Sequence, residues 1–231
     1  MEPNLSIVIM AFNEEENLPV QLQRTVDFLE GQGTRWQIVI VNDGSKDRTG
    51  AVADEWSAQD PERITVVHHP VNRGMGAAIR NGYAAATMGW ITQLPADCQV
   101  DPQVFERFLV ERERHDLILS VYAKRDDGWM RSILSWGFQS FIRLALGERG
   151  DFTGTMMFRR ELLSRVGPLH GESFFVNLEF PIRALRLGTS HTILEITAQP
   201  RLHGVSKVAN MKRIRFVVGE TLAMRSRDRA N

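Results

Sequence analysis

A chain of 231 residues, 43% hydrophobic and 24% charged with 28 basic against 28 acidic side chains, has room for one domain with a sizeable core, or one domain plus a short appendage. The apolar share is that of a soluble globular protein, which excludes a disordered chain. The single cysteine, Cys98, excludes an internal disulfide and reads as a small buried side chain in a reducing, intracellular setting.

In chain order, the opening MEPNLSIVIM lacks the basic and apolar regions of a signal peptide. No later run reaches the roughly 18 apolar residues of a membrane span, so any membrane contact is expected to be peripheral. Short apolar runs predict strands at LSIVIM (5–10), WQIVIV (36–41), ITVVHH (64–69), GWITQL (89–94) and DLILSVY (116–122). Helices are predicted near 14–29, 47–58, 75–88 and 102–114. Asn13 with Glu16 has the spacing of a capping box, and Pro102 suits a first helical turn. Beyond Tyr122 the rhythm changes. A helix is expected over 130–146, with Trp136, Phe138 and Phe141 on an uneven apolar face. A strand follows at TGTMMF (153–158), then a helix within 174–188 that stops at Gly188, a strand at HTILEI (191–196), and a basic amphipathic helix over 209–227. The expected division is a domain over 1–208 and a basic helix and tail over 209–231.

Repeated β-α units of continuous apolar strands imply an open α/β sheet, mostly parallel and buried on both faces. Ligands of such sheets bind outside the carboxyl ends of the strands. Those ends carry AFNEEEN, VNDGSKD, HPVNRGMGAAIRNG and PADCQVD, where polar residues and glycines gather. No GxGxxG follows the first strand, which argues against a dinucleotide-binding dehydrogenase. In LPADCQVDP (94–102), Asp97 stands just past a strand end, as a metal ligand or as a turn residue.

Seven stretches, in order and covering most of the chain, carry a resemblance: SIVIMAFNEEENL, IVIVNDGSKDRT, NRGMGAAIRNG, PADCQVDP, FRREL, NLEFPIRALRLG and RLHGVSK. Together they resemble the family 2 glycosyltransferases of GT-A fold, in the branch of dolichol-phosphate mannosyltransferase and bacterial polyprenyl-phosphate glycosyltransferases. Each stretch alone is weak; the ordered set is specific. The resemblance implies a Rossmann-like α/β domain with an open, mixed, mostly parallel sheet. It also implies a nucleotide diphosphate sugar donor of GDP-mannose or UDP-hexose type, Mg²⁺ or Mn²⁺, and inversion at the sugar.

By the same resemblance, Phe12 and Glu14 line the nucleoside pocket with Ala11, Gly74 and Ala96, and Asp43 accepts from the base N–H. On its residues alone, Asp43 also reads as a turn carboxylate bonded to nearby backbone. Glu15 and Glu16 read as first-turn helix charges. Arg73 and Arg80 are candidates for diphosphate contacts beside glycines that equally suit a tight turn. Relatives commonly carry Asp-x-Asp where this chain has Pro95-Ala96-Asp97, so the first acid is missing and Asp97 with Gln99 is the expected metal pair. Oxygen donors of that kind leave room for phosphate and water in the shell of a hard cation.

Glycosyl transfer passes through an oxocarbenium-like transition state, and the leaving diphosphate needs positive charge. An alcohol acceptor also needs a general base; a phosphate acceptor is already ionised. The acid-bearing stretch of relatives is poorly matched, leaving Asp151 one position out of line, whereas cationic positions are kept. Asp97, Arg125, Asp151 and Glu179 are therefore the catalytic candidates, and Arg125, Arg201, Ser206 and Lys207 the acceptor-phosphate candidates. Glu179 reads equally as a helix carboxylate paired with Arg183. The histidines show no metal-ligand spacing.

Residues 201–231 hold eight basic and two acidic side chains, a net of +6 against −6 for the remainder. Such a tail suits a phosphate-rich partner or an anionic surface. The expectation is a glycosyltransferase of cell-envelope glycan assembly, serving a polyprenyl-phosphate carrier at the cytoplasmic membrane face, directly or through a membrane-protein partner, with no nucleic-acid partner. A soluble hydroxyl acceptor, or a non-catalytic nucleotide-binding member, are the competing readings.

Overall fold

The strands form where β-branched and aliphatic side chains run without interruption, because in the central strands such residues find a buried face on one side of the sheet or the other. In the computed structural model, which describes residues 4–123, 154–202 and 211–230, seven strands make one sheet. They are β1 (Asn4–Ala11), β2 (Arg35–Asn42), β3 (Ile64–His68), β4 (Trp90–Pro95), β5 (Leu117–Tyr122), β6 (Met157–Arg159) and β7 (His191–Ile196). The order across the sheet is β3-β2-β1-β4-β6-β5-β7. β1 pairs parallel with β2 and β4, in register from Leu5 opposite Trp36 and Trp90, and β2 pairs parallel with β3. β6 runs antiparallel to both β4 and β5, and β7 pairs parallel with β5. The sheet is thus mixed and mostly parallel, as expected.

Alternation along each strand feeds two cores. Leu5, Ile7 and Ile9 of β1 pack with Trp36, Ile38 and Ile40 of β2 under α1 (Leu18–Gly31) and α2 (Thr49–Gln59). Val8, Val39, Val41 and Ile91 face the other way, onto α3 (Met75–Ala85), α5 (Glu161–Val166), α6 (Val176–Arg186) and α7 (Met211–Ala230). The short α4 (Phe105–Glu111) joins the first layer. Each of these fully buried aliphatic side chains contributes about 1.5–3 kcal/mol. β7, at the sheet edge, alternates exposed and half-buried residues.

Most predicted elements recur with ends moved by a few residues. Pro102 opens a 3₁₀ turn over Pro102–Val104, capped by Asp101 through Gln103 N–H at 3.0 Å, and α4 begins only afterwards. Gly188, at φ +71°, ends the α6 segment as expected. α1 begins at Leu18 rather than near 14, and Asn13 is not its cap. Asn13 has φ +54°, and its Oδ1 accepts from Lys46 N–H at 2.9 Å. Glu15 accepts from Arg48 N–H at 2.8 Å instead of serving the helix dipole. Cross-loop partners have taken the side chains that local spacing assigned to the helix. The expected helix over 130–146, with Trp136, Phe138 and Phe141, lies outside the described residues.

In α7 the buried face is Val217, Thr221 and Met224, packed on the second core, while Phe216 and Leu222 are exposed. Among the described residues no helix is long and apolar enough to cross a membrane.

Candidate active site

The chain steps outward from β1 to β2 and β3, then α3 carries it back to β4 on the other flank of β1. The crevice between the carboxyl ends of β1 and β4 is therefore the topological switch point, where open α/β sheets bind ligands. The strand ends are pinned there: Ala11 O accepts from Asp43 N–H at 2.9 Å, and Met10 O from Ala96 N–H at 3.0 Å. Ala11 and Ala96 are buried, and Phe12, next after Ala11, is half-buried.

Two loops interlock over β1 and β2. Asn13 N–H donates to Ser45 Oγ at 3.0 Å and Glu14 N–H to Thr49 Oγ1 at 2.8 Å. This fixes the Glu14 side chain, whose Oε2 accepts from Asn17 Nδ2 at 2.6 Å and whose Oε1 pairs with Arg201. Arg201 Nη1 also lies 4.0 Å from Asp97 Oδ2. A cavity of about 260 Å³ opens here, lined by Asn13, Glu14, Asn17, Asp47 and Arg201 among others.

Asp97 follows β4 in an Asx turn, its Oδ1 accepting from Gln99 N–H at 3.2 Å, and Cys98 takes φ +59° to complete it. Cys98 is buried, as expected, with its Sγ on Asn17 O at 3.4 Å. Burial pushes the Asp97 carboxyl above the ordinary 3.8. The Gln99 amide and Arg201 pull it down, and the like charge of Glu14 raises it further. Pro95 ends β4 opposite Met10, where the resemblance leads us to expect a first acid.

Glu14 and Asp97 are hard oxygen donors held beside one cationic side chain, and Asp97 remains short of counter-charge. That donor set fits Mg²⁺ or Mn²⁺. Among the described residues no group of three or more His, Cys, Asp or Glu encloses a metal, so an ion held here would need further oxygen ligands from outside the chain to fill its shell. Gln99 is half-buried beside Asp97, its carbonyl accepting from Gln199 N–H at 2.8 Å.

Asp43 is buried with its carboxylate turned to the 69–74 loop. Oδ1 accepts from Arg73 N–H at 2.8 Å and from His69 Nδ1 at 2.6 Å, and Oδ2 accepts from Gly74 N–H at 2.9 Å. Asn81 Nδ2 donates to His69 Nε2 at 2.8 Å, so the imidazole is a buried strut. Gly74, at φ +85°, precedes α3, and Gly76 N–H donates to Glu172 O at 3.0 Å. Arg80 donates to Gly171 O. The 171–172 segment thus sits on the start of α3, where the sequence pointed to a phosphate.

Glu179 is buried at 1% exposure, its Oε2 accepting from His170 N–H at 2.9 Å and from Gly171 N–H at 2.7 Å and its Oε1 from His170 N–H at 3.1 Å, with Arg183 3.6 Å away. The helix pairing foreseen with Arg183 is present, together with a loop clamp that spacing did not reveal. Arg125, Asp151, Ser206 and Lys207 lie outside the described residues.

Two features escaped sequence reasoning. Inside the second core, Tyr83 OH donates to Gln93 Oε1 at 2.7 Å, and Gln93 Nε2 to Asn177 Oδ1 at 2.6 Å. A glutamine within an apolar strand was the available signal. Glu220 of α7 accepts from Ser173 Oγ and from Glu172 N–H, tying the last helix to the segment that covers α3. A lone acid in a basic helix was a weaker sign.

A wider depression of about 460 Å³ lies at the amino ends of the strands, lined by Trp36, Arg63 and Glu30. Its charges answer one another, with Arg63 stacked 4.1 Å over Trp36 and paired to Asp60 and Glu30. It carries none of the site's chemistry.

The profile of glycosyl transferase family 2 matches residues 6–167, and the chain belongs to that family. It is 32% identical over 219 residues to an undecaprenyl-phosphate 4-deoxy-4-formamido-L-arabinose transferase of Pectobacterium carotovorum, covering 93% of this chain and 65% of that protein. The chain thus spans about two thirds of that relative's length. It is 30% identical to a polyprenol monophosphomannose synthase of Mycolicibacterium smegmatis, over 93% of this chain and 85% of that protein. Glucosyl-3-phosphoglycerate synthase of Mycobacterium tuberculosis, crystallised with Mn²⁺, UDP and glucosyl-3-phosphoglycerate, superposes with a TM-score of 0.68 at 18% identity, covering 96% of this chain and 79% of that one. S. aureus TarS with UDP-GlcNAc superposes at 0.63 and 13% identity, over 96% and 66%. The fold is GT-A, as the motifs implied.

Proposed function

We propose that this chain is an inverting glycosyltransferase that moves one sugar from a nucleotide diphosphate sugar to a polyprenyl-phosphate carrier. The observation that carries the reading is the pair Glu14 and Asp97, gathered with Arg201 at the switch point of the sheet. The named relatives support a lipid-phosphate acceptor, and the neighbour crystallised with Mn²⁺ and UDP supports a metal-assisted nucleotide donor.

The donor's nucleoside lies against Ala11, Phe12 and Ala96, with its diphosphate toward Asp97. Asp97, with Gln99 or Glu14, would hold Mg²⁺ or Mn²⁺, which when bound would supply positive charge to the leaving diphosphate. Asp43 acts as a positioning residue, holding the 69–74 loop in shape. Glu179 does the same for the 170–171 loop. Arg125, Ser206 and Lys207 are assigned to the acceptor phosphate, which needs placement rather than deprotonation. The 209–231 segment is assigned to contact with the membrane. Phe174 and Phe216 are both exposed, Phe174 next to the Ser173 that Glu220 holds and Phe216 one turn before that Glu220. The net +6 of residues 201–231 complements an anionic lipid surface.

The test is transfer from a panel of UDP- and GDP-sugars to a short polyprenyl phosphate, read by mass spectrometry, with Mg²⁺, Mn²⁺ or chelator. A metal-dependent lipid-phosphate sugar, lost in Asp97→Ala, is expected. Product on a soluble hydroxyl acceptor alone would refute the lipid assignment. Nucleotide binding without turnover on any acceptor would refute the enzyme.

A further inference from the structure

The loop after β7 returns across the carboxyl edge of the sheet. Gln199 N–H donates to Gln99 O at 2.8 Å, which fixes the loop to the Asp97 turn. Two residues on, the Arg201 guanidinium reaches Glu14 Oε1 and stands 4.0 Å from Asp97 Oδ2. All three side chains are largely withdrawn from water, at 20%, 12% and 17% exposure for Arg201, Glu14 and Asp97. Two carboxylates that would repel each other are thus held together by one cation of the chain itself. A guanidinium and a divalent ion cannot occupy the same carboxylate oxygens together, whereas a guanidinium binds phosphate oxygens readily in a bidentate fashion.

We propose that Arg201 is a built-in counter-cation that keeps Glu14 and Asp97 from binding a free divalent ion until a nucleotide diphosphate draws its guanidinium away. Metal and nucleotide then bind with positive coupling, because each vacates or supplies the charge that the other needs. The nucleotide-free protein avoids loading with metal alone, and the Arg201 guanidinium passes from the carboxylates to the diphosphate as the metal enters. This rests on the nucleotide-donor reading above.

The experiment titrates Mn²⁺ into the full chain, with free ion read by electron paramagnetic resonance, alone and with UDP or GDP. It compares wild type, Arg201→Gln, Arg201→Lys and Gln199→Pro. Wild type is expected to bind Mn²⁺ weakly without a nucleotide and more tightly with one. Arg201→Gln is expected to bind nucleotide-free Mn²⁺ on the order of tenfold more tightly, within the usual range of site-site coupling. Arg201→Lys keeps the charge and stays near wild type. Gln199→Pro removes the amide that anchors the loop while leaving Arg201 in place, shifts the same way as Arg201→Gln, and carries the test if that variant does not fold. Equal nucleotide-free affinity in wild type, Arg201→Gln and Gln199→Pro, with nucleotide-dependent binding intact, overturns the counter-cation alone. An Arg201→Lys variant that behaves like Arg201→Gln overturns it too, since charge is then not the cause. No Mn²⁺ binding by any protein with either nucleotide overturns both this role and the metal role in the proposed function.

Discussion

Replacing Asp43 with alanine separates a loop clamp from a ligand contact. The carboxylate accepts from Arg73 N–H, Gly74 N–H and His69 Nδ1 at 2.8, 2.9 and 2.6 Å, and is 4% exposed. Asp43→Ala leaves two backbone donors and one imidazole donor without their acceptor. A buried donor stripped of its partner costs about 1–3 kcal/mol. Partial rehydration at the exposed Arg73 and half-buried Gly74 takes the three together to roughly 3–5 kcal/mol. That is a large share of the roughly 5–15 kcal/mol that holds a domain together. In a chain of this size it lowers the melting midpoint on the order of 10 °C. Urea unfolding followed by circular dichroism measures the loss, and nucleotide binding is measured at a temperature where the variant is folded. A variant within about 1 kcal/mol of wild type that has nonetheless lost nucleotide binding would refute the clamp and return Asp43 to the base contact.

Three further outcomes follow from other sites. Asp97→Asn should abolish metal-dependent transfer yet raise thermal stability at pH 7. Burial raises the folded carboxyl above 3.8, so the folded chain keeps its proton to higher pH than the unfolded one. Stability is therefore lost as pH rises from 3.8 through the folded value, and the Asn variant's advantage should vanish below pH 3.8 in melting scans. An advantage that grows on acidification would contradict that sign. Gly82→Ala on α3 puts a methyl group into Val8 Cγ1 and 3.1 Å from Val41 Cγ2. The overpacking, about 1–3 kcal/mol, should outweigh the roughly 1 kcal/mol that alanine adds to a helix, so a higher urea midpoint would disprove the packing. Phe174→Ser with Phe216→Ser should cut sedimentation with phosphatidylglycerol vesicles at least several-fold while leaving the melting midpoint within about 3 °C, because both rings are exposed. Unchanged vesicle binding would remove this face from the membrane assignment.

Sequence by itself determined the sheet strands, because Ile-Val runs such as SIVIM and IVIV can be buried on both faces only in a covered, mostly parallel sheet. It also determined the stop at Gly188, the burial of Cys98, and the family, through motifs that fall at strand ends. Tertiary structure alone decided the insertion of β6 antiparallel between β4 and β5. It alone decided the start of α1, since Asn13 and Glu15 bond across to the β2–α2 loop rather than to their own helix. The partners of the acids were equally hidden: Asp43 with a loop some 30 residues on, Glu220 with Ser173, and Arg201 with Glu14 across 187 residues. Strand and helix propensities act within a turn or two of chain and leave their period in the sequence. A carboxylate's partner is whichever donor the packed sheet brings within 3 Å, and many residues along the chain could equally have supplied it.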